Sequence, residues 1–286
     1  MSHSAYFEQL SYKELSILKG ISSMMKSICL LSAVVSTLTL NGSENPYPPR
    51  FEGMFQEYEG HPLDLISHFV PNDPVIFEAG GHYGEDTIRF TEKWPLSKVI
   101  SFEPNPAAFK KLQDATRGLQ RVQAHNLAVN NYNGTATLHI CYGSTGDNPV
   151  FEGASSLLEA SSQMAIHYQG PTVEVPCVIL DNWCTKNNID HIDFMWLDLE
   201  GLELQVLKAS PLILATVKVI YTETNMYNFR KGMTQYKKLR PFLEAAGFTM
   251  LSHWYAEGFQ GNAIFVKKEL CNLNLPTSLD QHLKKN

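Results

Sequence analysis

The sequence is short of several things, and each shortage narrows its function. It has five cysteines in 286 residues. None of the five (Cys29, Cys141, Cys177, Cys184, Cys271) stands at the C-x-x-C spacing of a zinc or redox site. They read as reduced thiols of a cytoplasmic protein. Positive charge is also short: 23 Lys and Arg against 29 Asp and Glu leave a net charge of −6. That speaks against a nucleic-acid partner, because gripping a phosphate backbone needs clustered cations. A basic run at Arg230, Lys231, Lys237, Lys238 and Arg240 reads as a solvated helix face. No apolar stretch reaches the roughly 20 residues of a membrane-spanning helix. Ile28–Leu40 has only 13. It reads as part of a helical N-terminal extension, with a membrane-contacting or targeting segment as the alternative. There is no internal repeat, no P-loop Gly-Lys-Ser/Thr and no G-x-G-x-x-G.

What is present is an ordinary globular balance, 44% hydrophobic and 18% charged, enough apolar side chain for one sizeable core. The Pro/Asn/Gly breaker NGSENPYPPR ends an N-terminal extension at 1–50. The main domain is expected over 51–270 and a short tail over 271–286. Short apolar runs then alternate with helical stretches. The pattern predicts strands at Val75–Ala79, Val99–Phe102, Val122–Val129, Val173–Leu180, Ile192–Leu197 and Val217–Thr222. Between them it predicts helices at Glu85–Lys93, Pro106–Arg117, from Asp181 and over Leu202–Ala209, and a last helix over Thr234–Ala246. Asn130–Gly134 predicts a turn into a returning strand at Thr135–Cys141. The Ser/Gly-rich stretch 143–170 reads as a long loop or lid. Phe248–His253 and Ala263–Val266 have no helix between them and should pair at one sheet edge. The whole is an α/β fold, mostly parallel, with an antiparallel edge pair.

Three motifs fall at strand ends, where open α/β sheets bind their ligands. The first is Glu78-Ala-Gly-Gly-His-Tyr-Gly84, whose Gly80, Gly81 and Gly84 allow a sharp turn and close approach of a ligand. Without G-x-G-x-x-G, a cofactor lacking a pyrophosphate fits better than a dinucleotide. The second is Ser101-Phe-Glu-Pro-Asn-Pro106, which sets Glu103 where an acidic side chain accepts ribose hydroxyls. The third, Asp193 to Glu203, carries Asp198, Glu200 and Glu203 beyond a strand too apolar to be exposed.

The blocks EAGGHYGEDT, SFEPNPAAFKKL, NLAVNNYNGTATL, ILDNWCTKNNIDHIDFMWLDLEGLELQVL, IYTET and LEAAGF resemble, in order, those of FkbM-family methyltransferases, over about residues 72 to 268. The resemblance implies a Rossmann-like class I methyltransferase fold and S-adenosyl-L-methionine as cofactor. It implies O-methylation of a hydroxyl on a sugar or natural product, and hence a small-molecule or glycan acceptor. Carried over, Glu78 opens the first motif, Gly80, Gly81, His82 and Gly84 lie beside the methionine part, Glu103 holds the ribose, and Asn126 to Ala128 flank adenine. His82 stands where the family more often has asparagine. Trp196 stands where lysine is common, which bears on the acceptor site.

Methyl transfer to a hydroxyl gains from a general base. Asp198 and Glu200 are the catalytic candidates, and His167 in the loop is a third. A metal is not expected, although Asp198, Glu223 and Asn225 could together hold Mg²⁺. Two rivals remain: an NAD-dependent oxidoreductase, and a protein that binds the cofactor without catalysis.

Overall fold

A computed structural model describes residues 61–143, 149–256 and 260–272. The extension at 1–50 with Ile28–Leu40, and the tail beyond Asn272, lie outside them. Among the described residues no helix is long and apolar enough to cross a membrane.

After a short helix α1 (Pro62–Ile66) the alternation begins: β1 (Val75–Ala79), α2 (Glu85–Lys93), β2 (Lys98–Phe102), α3 (Pro106–Ala115) and β3 (Val122–His125). Then come β4 (Ala128–Val129), β5 (Gly134–His139), β6 (Thr172–Val178), α4 (Leu180–Lys186), β7 (Phe194–Leu197), α5 (Glu203–Ala209) and α6 (Pro211–Thr216). The chain closes with β8 (Val219–Asn225), α7 (Tyr236–Ala245), β9 (Phe248–Ala256) and β10 (Gln260–Lys267).

Seven strands form the main sheet in the order β3-β2-β1-β7-β8-β10-β9. β1 runs parallel to β2 and β7, β7 is parallel to β8, and β10 is antiparallel to β8. The sequence order reverses beside β1, so the ends of β1, β2, β7 and β8 converge on one edge, the switch point where such sheets bind ligands. Successive side chains go to opposite faces, as a strand period of two requires. Phe77, Ile100, Met195 and Ile220 enter one core layer, while Ile76, Val99, Trp196 and Val219 enter the other.

Two expectations change. The strand expected at Val122–Val129 is broken at Asn126, whose Nδ2 donates to the carbonyls of Glu103 (2.8 Å) and Pro104 (3.0 Å). That side chain steers the backbone out of the main sheet. Ala128–Val129 joins a separate three-stranded sheet, β4-β6-β5. The returning strand β5 accordingly pairs antiparallel with β6 instead of folding back on its own predecessor. The stretch expected as a loop is partly anchored. A 3-10 turn at Pro149–Ala154 leads into isolated bridges that tie His139 to Ser156 and Ala160 to Arg230.

Candidate active site

The glycine loop begins where β1 ends. Gly80 has φ +90° and Gly84 has φ +91°, a left-handed backbone that only glycine adopts freely. A side chain on Gly80 would run into the backbone carbonyl of Asp198. The first motif and the end of β7 are therefore in contact, and glycine makes that contact feasible. His82 also has a positive φ, +44°. Asn and His are among the non-glycine residues enriched in that region, which gives a backbone reason for histidine to stand where the family more often has asparagine.

The loop's amides are largely spent on protein. Gly80 N and Gly81 N both donate to the Phe102 carbonyl, at 2.9 and 3.0 Å, and Gly84 N donates to Gly81 at 2.8 Å. His82 N donates to Glu103 Oε2 at 2.8 Å. A pyrophosphate-binding turn instead aims free N–H groups at its anion.

Glu78 is buried beneath the loop and accepts from the hydroxyls of Thr87 and Ser101. Burial pushes its carboxyl up to about 8 against the pull of those two hydroxyls. Glu103, at the end of β2, takes His82 N on one oxygen and Asn105 N on the other, at 2.7 Å. Burial raises it to about 7. Each of its oxygens keeps a lone pair beyond the N–H it already holds. Asn126 spends its Nδ2 on the loop after β2, and the Ala128 methyl is buried among Ala136, Leu138, Val175 and Cys177. At Ala128, then, only backbone is left to face a ligand.

The other half of the edge is crowded with carboxylates. Asp198, Glu200 and Glu223 offer oxygens that all lie within 4.8 Å of one another. Enclosure by protein raises Asp198 well above the ordinary carboxylate range, and the charges of Glu200 and Glu203 push the same way. The residue is nonetheless exposed, unlike the buried Glu223, so solvent screens and reduces that rise. Burial likewise lifts Glu223, with Glu200 and Asp198 adding to it. Glu200 has φ +50°; burial raises its carboxyl, opposed by the Arg230 guanidinium 3.7 Å away. Glu203 is buried and accepts from Gly201 N (3.1 Å) and Leu199 N (3.3 Å), tying down the turn that leads into its helix. Asn225 Nδ2 lies 3.4 Å from Glu223, and Gln260 also donates to Glu223. The acidic set that could hold a divalent cation thus includes Glu200, which the Asp198–Glu223–Asn225 reading omits. Two of its three carboxylates already have protein partners, Arg230 and Gln260. A carboxylate base is enough to assist methyl transfer to a hydroxyl without a cation.

Some residues fall elsewhere than the sequence suggests. Trp196 stacks on Tyr221 at 3.7 Å and packs against Phe90 in the core, so it is a core residue. His167 lies outside the acidic set, with its amide bonded to the Met164 carbonyl. The basic run is divided: Lys231, Lys237 and Lys238 are exposed, but Arg230 is only 1% exposed. Sequence reasoning misses Arg230 because a charge run reads as a solvated face. Its aromatic neighbours Tyr227 and Phe229, just past an apolar strand, are the available signal.

A parallel sheet reversing order beside β1, a glycine turn at β1, acidic residues at the next strand ends and an antiparallel β10 set between β8 and β9 make a Rossmann-like class I methyltransferase fold. The model of the Methyltransferase FkbM domain matches residues 78–250, and the chain belongs to that family. It is 25% identical over 210 residues to the 2-O-methyltransferase NoeI of Sinorhizobium fredii (strain NBRC 101917 / NGR234), covering 72% of this chain and 84% of that protein. Methyltransferase 1 of Beauveria bassiana (strain ARSEF 2860) is 25% identical over 146 residues, 48% of this chain and 59% of that one. The crystal structure of Methyltransferase FkbM from Methylobacillus flagellatus KT aligns with a TM-score of 0.45 and 13% identity. That alignment covers 68% of this chain and 44% of the Methylobacillus chain. The chain thus spans about four-fifths of NoeI but less than half of the Methylobacillus protein.

Proposed function

We propose that this chain transfers a methyl group from S-adenosyl-L-methionine to a hydroxyl oxygen of a small-molecule or glycan acceptor. The observation that carries the proposal is the contact between the Gly80 turn and Asp198, which sets a cofactor loop directly against a crowded set of carboxylates. The residues fit the cofactor. The glycine turn leaves backbone, not side chain, at the ligand edge, and Glu103 has acceptor capacity for ribose hydroxyls. The spent amides of Gly80, Gly81 and His82 argue against a dinucleotide, and so against the oxidoreductase reading. The name of the Sinorhizobium relative, a 2-O-methyltransferase, supports oxygen as the acceptor atom.

When bound, the cofactor supplies a methyl group on a positively charged sulfur. Glu103 would hold the ribose, and the Gly80–Gly84 turn would line the methionine end. Asp198, open to solvent and raised in proton affinity, would take the acceptor's proton as the new O–C bond forms and the S–C bond breaks. Glu200 and Glu223 would orient the acceptor's hydroxyls. The cofactor is made in the cytosol, and the reaction is assigned there.

Calorimetry with S-adenosyl-L-methionine and NAD⁺, followed by transfer of a labelled methyl group to a panel of methyl pyranosides and hydroxylated polyketides, tests the reading. The methyl donor should bind and NAD⁺ should not. Glu103→Ala should cost about 1.5–3 kcal/mol of donor affinity, the range for hydrogen bonds to charged groups. Tighter NAD⁺ binding would overturn the reading. Donor binding without turnover on any hydroxyl would favour a cofactor-binding protein.

A further inference from the structure

Arg230 is the largest fully buried side chain among the described residues. Burying a guanidinium strips its hydration, so it must find acceptors and a counter-charge in the protein. It finds them on two separate segments. Nη1 donates to the Leu158 carbonyl at 3.2 Å, and Nη2 donates to the Ala154 carbonyl. Nη2 also stands 3.7 Å from Glu200 Oε2, and the guanidinium carbon lies 4.3 Å from the centre of the Tyr168 ring. The backbone repeats the connection: Ser161 N donates to Phe229 at 2.9 Å, and Lys231 N donates to Glu159 at 2.8 Å. Ser156 Oγ donates to the Glu200 carbonyl at 3.1 Å. Residues 152–161 thus form a strap laid across the Glu200 turn, and Arg230 is the side chain that reaches both.

We propose that Arg230 is a positioning residue, which fixes the Glu200 carboxylate within the acidic cluster and locks the 152–161 strap over it. The proposal rests on the assignment of Glu200 to the acceptor side of the site. Arg230 is too buried to touch an acceptor, so whatever it does, it does through Glu200 and the strap. A planar guanidinium suits this post because its fork can serve two carbonyls and a carboxylate at once, whereas an ammonium is a single point charge. Glu200 needs such a hold, since its carboxylate lies within 4.8 Å of those of Asp198 and Glu223 and like charges would otherwise push it away.

The test uses the full chain and needs neither cofactor nor acceptor, so it stands apart from any failure of donor binding or turnover. Amide hydrogen exchange is followed at Ser156, Leu158, Ser161 and Lys231 in the parent, Arg230→Met, Arg230→Lys, Glu200→Gln and the Arg230→Met/Glu200→Gln pair. The carboxyl ¹³C resonance of Glu200, found as the signal lost in Glu200→Gln, is recorded in each Arg230 variant. Arg230→Met should raise strap exchange at least about tenfold while leaving β1 and β2 protected, and should move the Glu200 resonance. Arg230→Lys should return that resonance most of the way and the strap only in part. The double variant should exchange no faster than Arg230→Met alone. A merely space-filling arginine would be replaced well by methionine. Strap exchange within twofold of the parent in Arg230→Met therefore overturns the proposal, as does a Glu200 resonance that lysine fails to restore. If Arg230→Met does not fold, Arg230→Lys and Glu200→Gln decide: an unchanged strap in both overturns it.

Discussion

The two halves of the ligand edge treat their carboxylates in opposite ways. At the ends of β1 and β2, every carboxylate is matched. Glu78 has two hydroxyl donors, and Glu103 has a backbone N–H on each oxygen. At the ends of β7 and β8, Asp198, Glu200 and Glu223 crowd within 4.8 Å. Enclosure by protein and then the charge of Glu200 raise the proton affinity of Asp198 and Glu223. Although Arg230 and Gln260 partner Glu200 and Glu223, Asp198 has no such match among the described residues. Like charges so close are costly unless a proton, a ligand or a cation relieves them. The first half is built to hold something still, while the second keeps an unfavourable arrangement of the kind that marks reaction centres. Substitutions in the two halves should therefore fail differently.

The sharpest break is Asp198→Asn. It keeps the side chain's shape and removes its proton-accepting power. With any accepted hydroxyl substrate, turnover should fall about 10²–10⁴-fold, the usual worth of a general base, while calorimetric donor affinity changes by less than fivefold. Equal loss in both parameters would move Asp198 into the cofactor half.

Gly80→Val strikes where the halves meet. The new Cβ would meet the Asp198 carbonyl, and valine at φ +90° is strained whatever the space. Backbone strain and overpacking together should lower unfolding stability by about 2–4 kcal/mol and abolish donor binding. Denaturant titration and calorimetry at a temperature where the variant is still folded measure the two effects separately. Normal binding would mean that the loop is only a turn.

Glu78→Gln probes the matched half through pH. Glu78 sits at about 8 in the folded protein against an ordinary value of 4.5. Its contribution to stability is therefore complete below about pH 4.5 and is lost as pH rises toward 8. In that window the unfolded chain gives up the proton and the folded one keeps it, costing on the order of 1 kcal/mol per pH unit. Glutamine resembles the protonated acid and can still accept from Thr87 and Ser101. Urea midpoints at pH 5.5 and 8 should converge in the variant relative to the parent. Glu103 and Glu203, each raised to about 7, keep the slope from vanishing. An unchanged slope would show that Glu78 is ionised in the folded state.

Much of this contrast is legible in the order of residues alone. The β1 strand and the α2 helix fall at the expected residues, Val75–Ala79 and Glu85–Lys93, because apolar runs and caps are local signals. The motif carboxylates can be set at strand ends for the same reason. What the sequence hides is tertiary choice. Nothing local says that Asn126 will bond the carbonyls of Glu103 and Pro104 and send Ala128 into a second sheet. Nothing in a basic run says which arginine turns inward. Trp196 sits at a position suggestive of the acceptor, yet strand alternation sends it to the layer of Phe90 and Tyr221. Charge reads as surface and position reads as function, and at Arg230 and Trp196 burial decides otherwise.

The smallest expected effect comes from the place where the strap meets the matched half. Tyr83 OH donates to Glu152 Oε2 at 2.7 Å, and Lys111 Nζ lies 3.8 Å above the Tyr83 ring and 4.0 Å from the same carboxylate oxygen. Lys111 is largely exposed, so its electrostatic share is screened and small. Tyr83→Phe removes the hydroxyl and keeps the ring, including its stacking on His82 at 3.6 Å. The loss should be about 0.5–1.5 kcal/mol of stability, one hydrogen bond's net worth. Because the 3-10 turn stays tied to Arg230 through Ala154, amides at Ser156 and Ser161 should keep their protection. Those near Glu152 should exchange faster. Faster exchange along the whole strap would mean that Tyr83, not Arg230, is its principal tether, and the contrast between a matched half and a crowded half would then have to include the strap in the first.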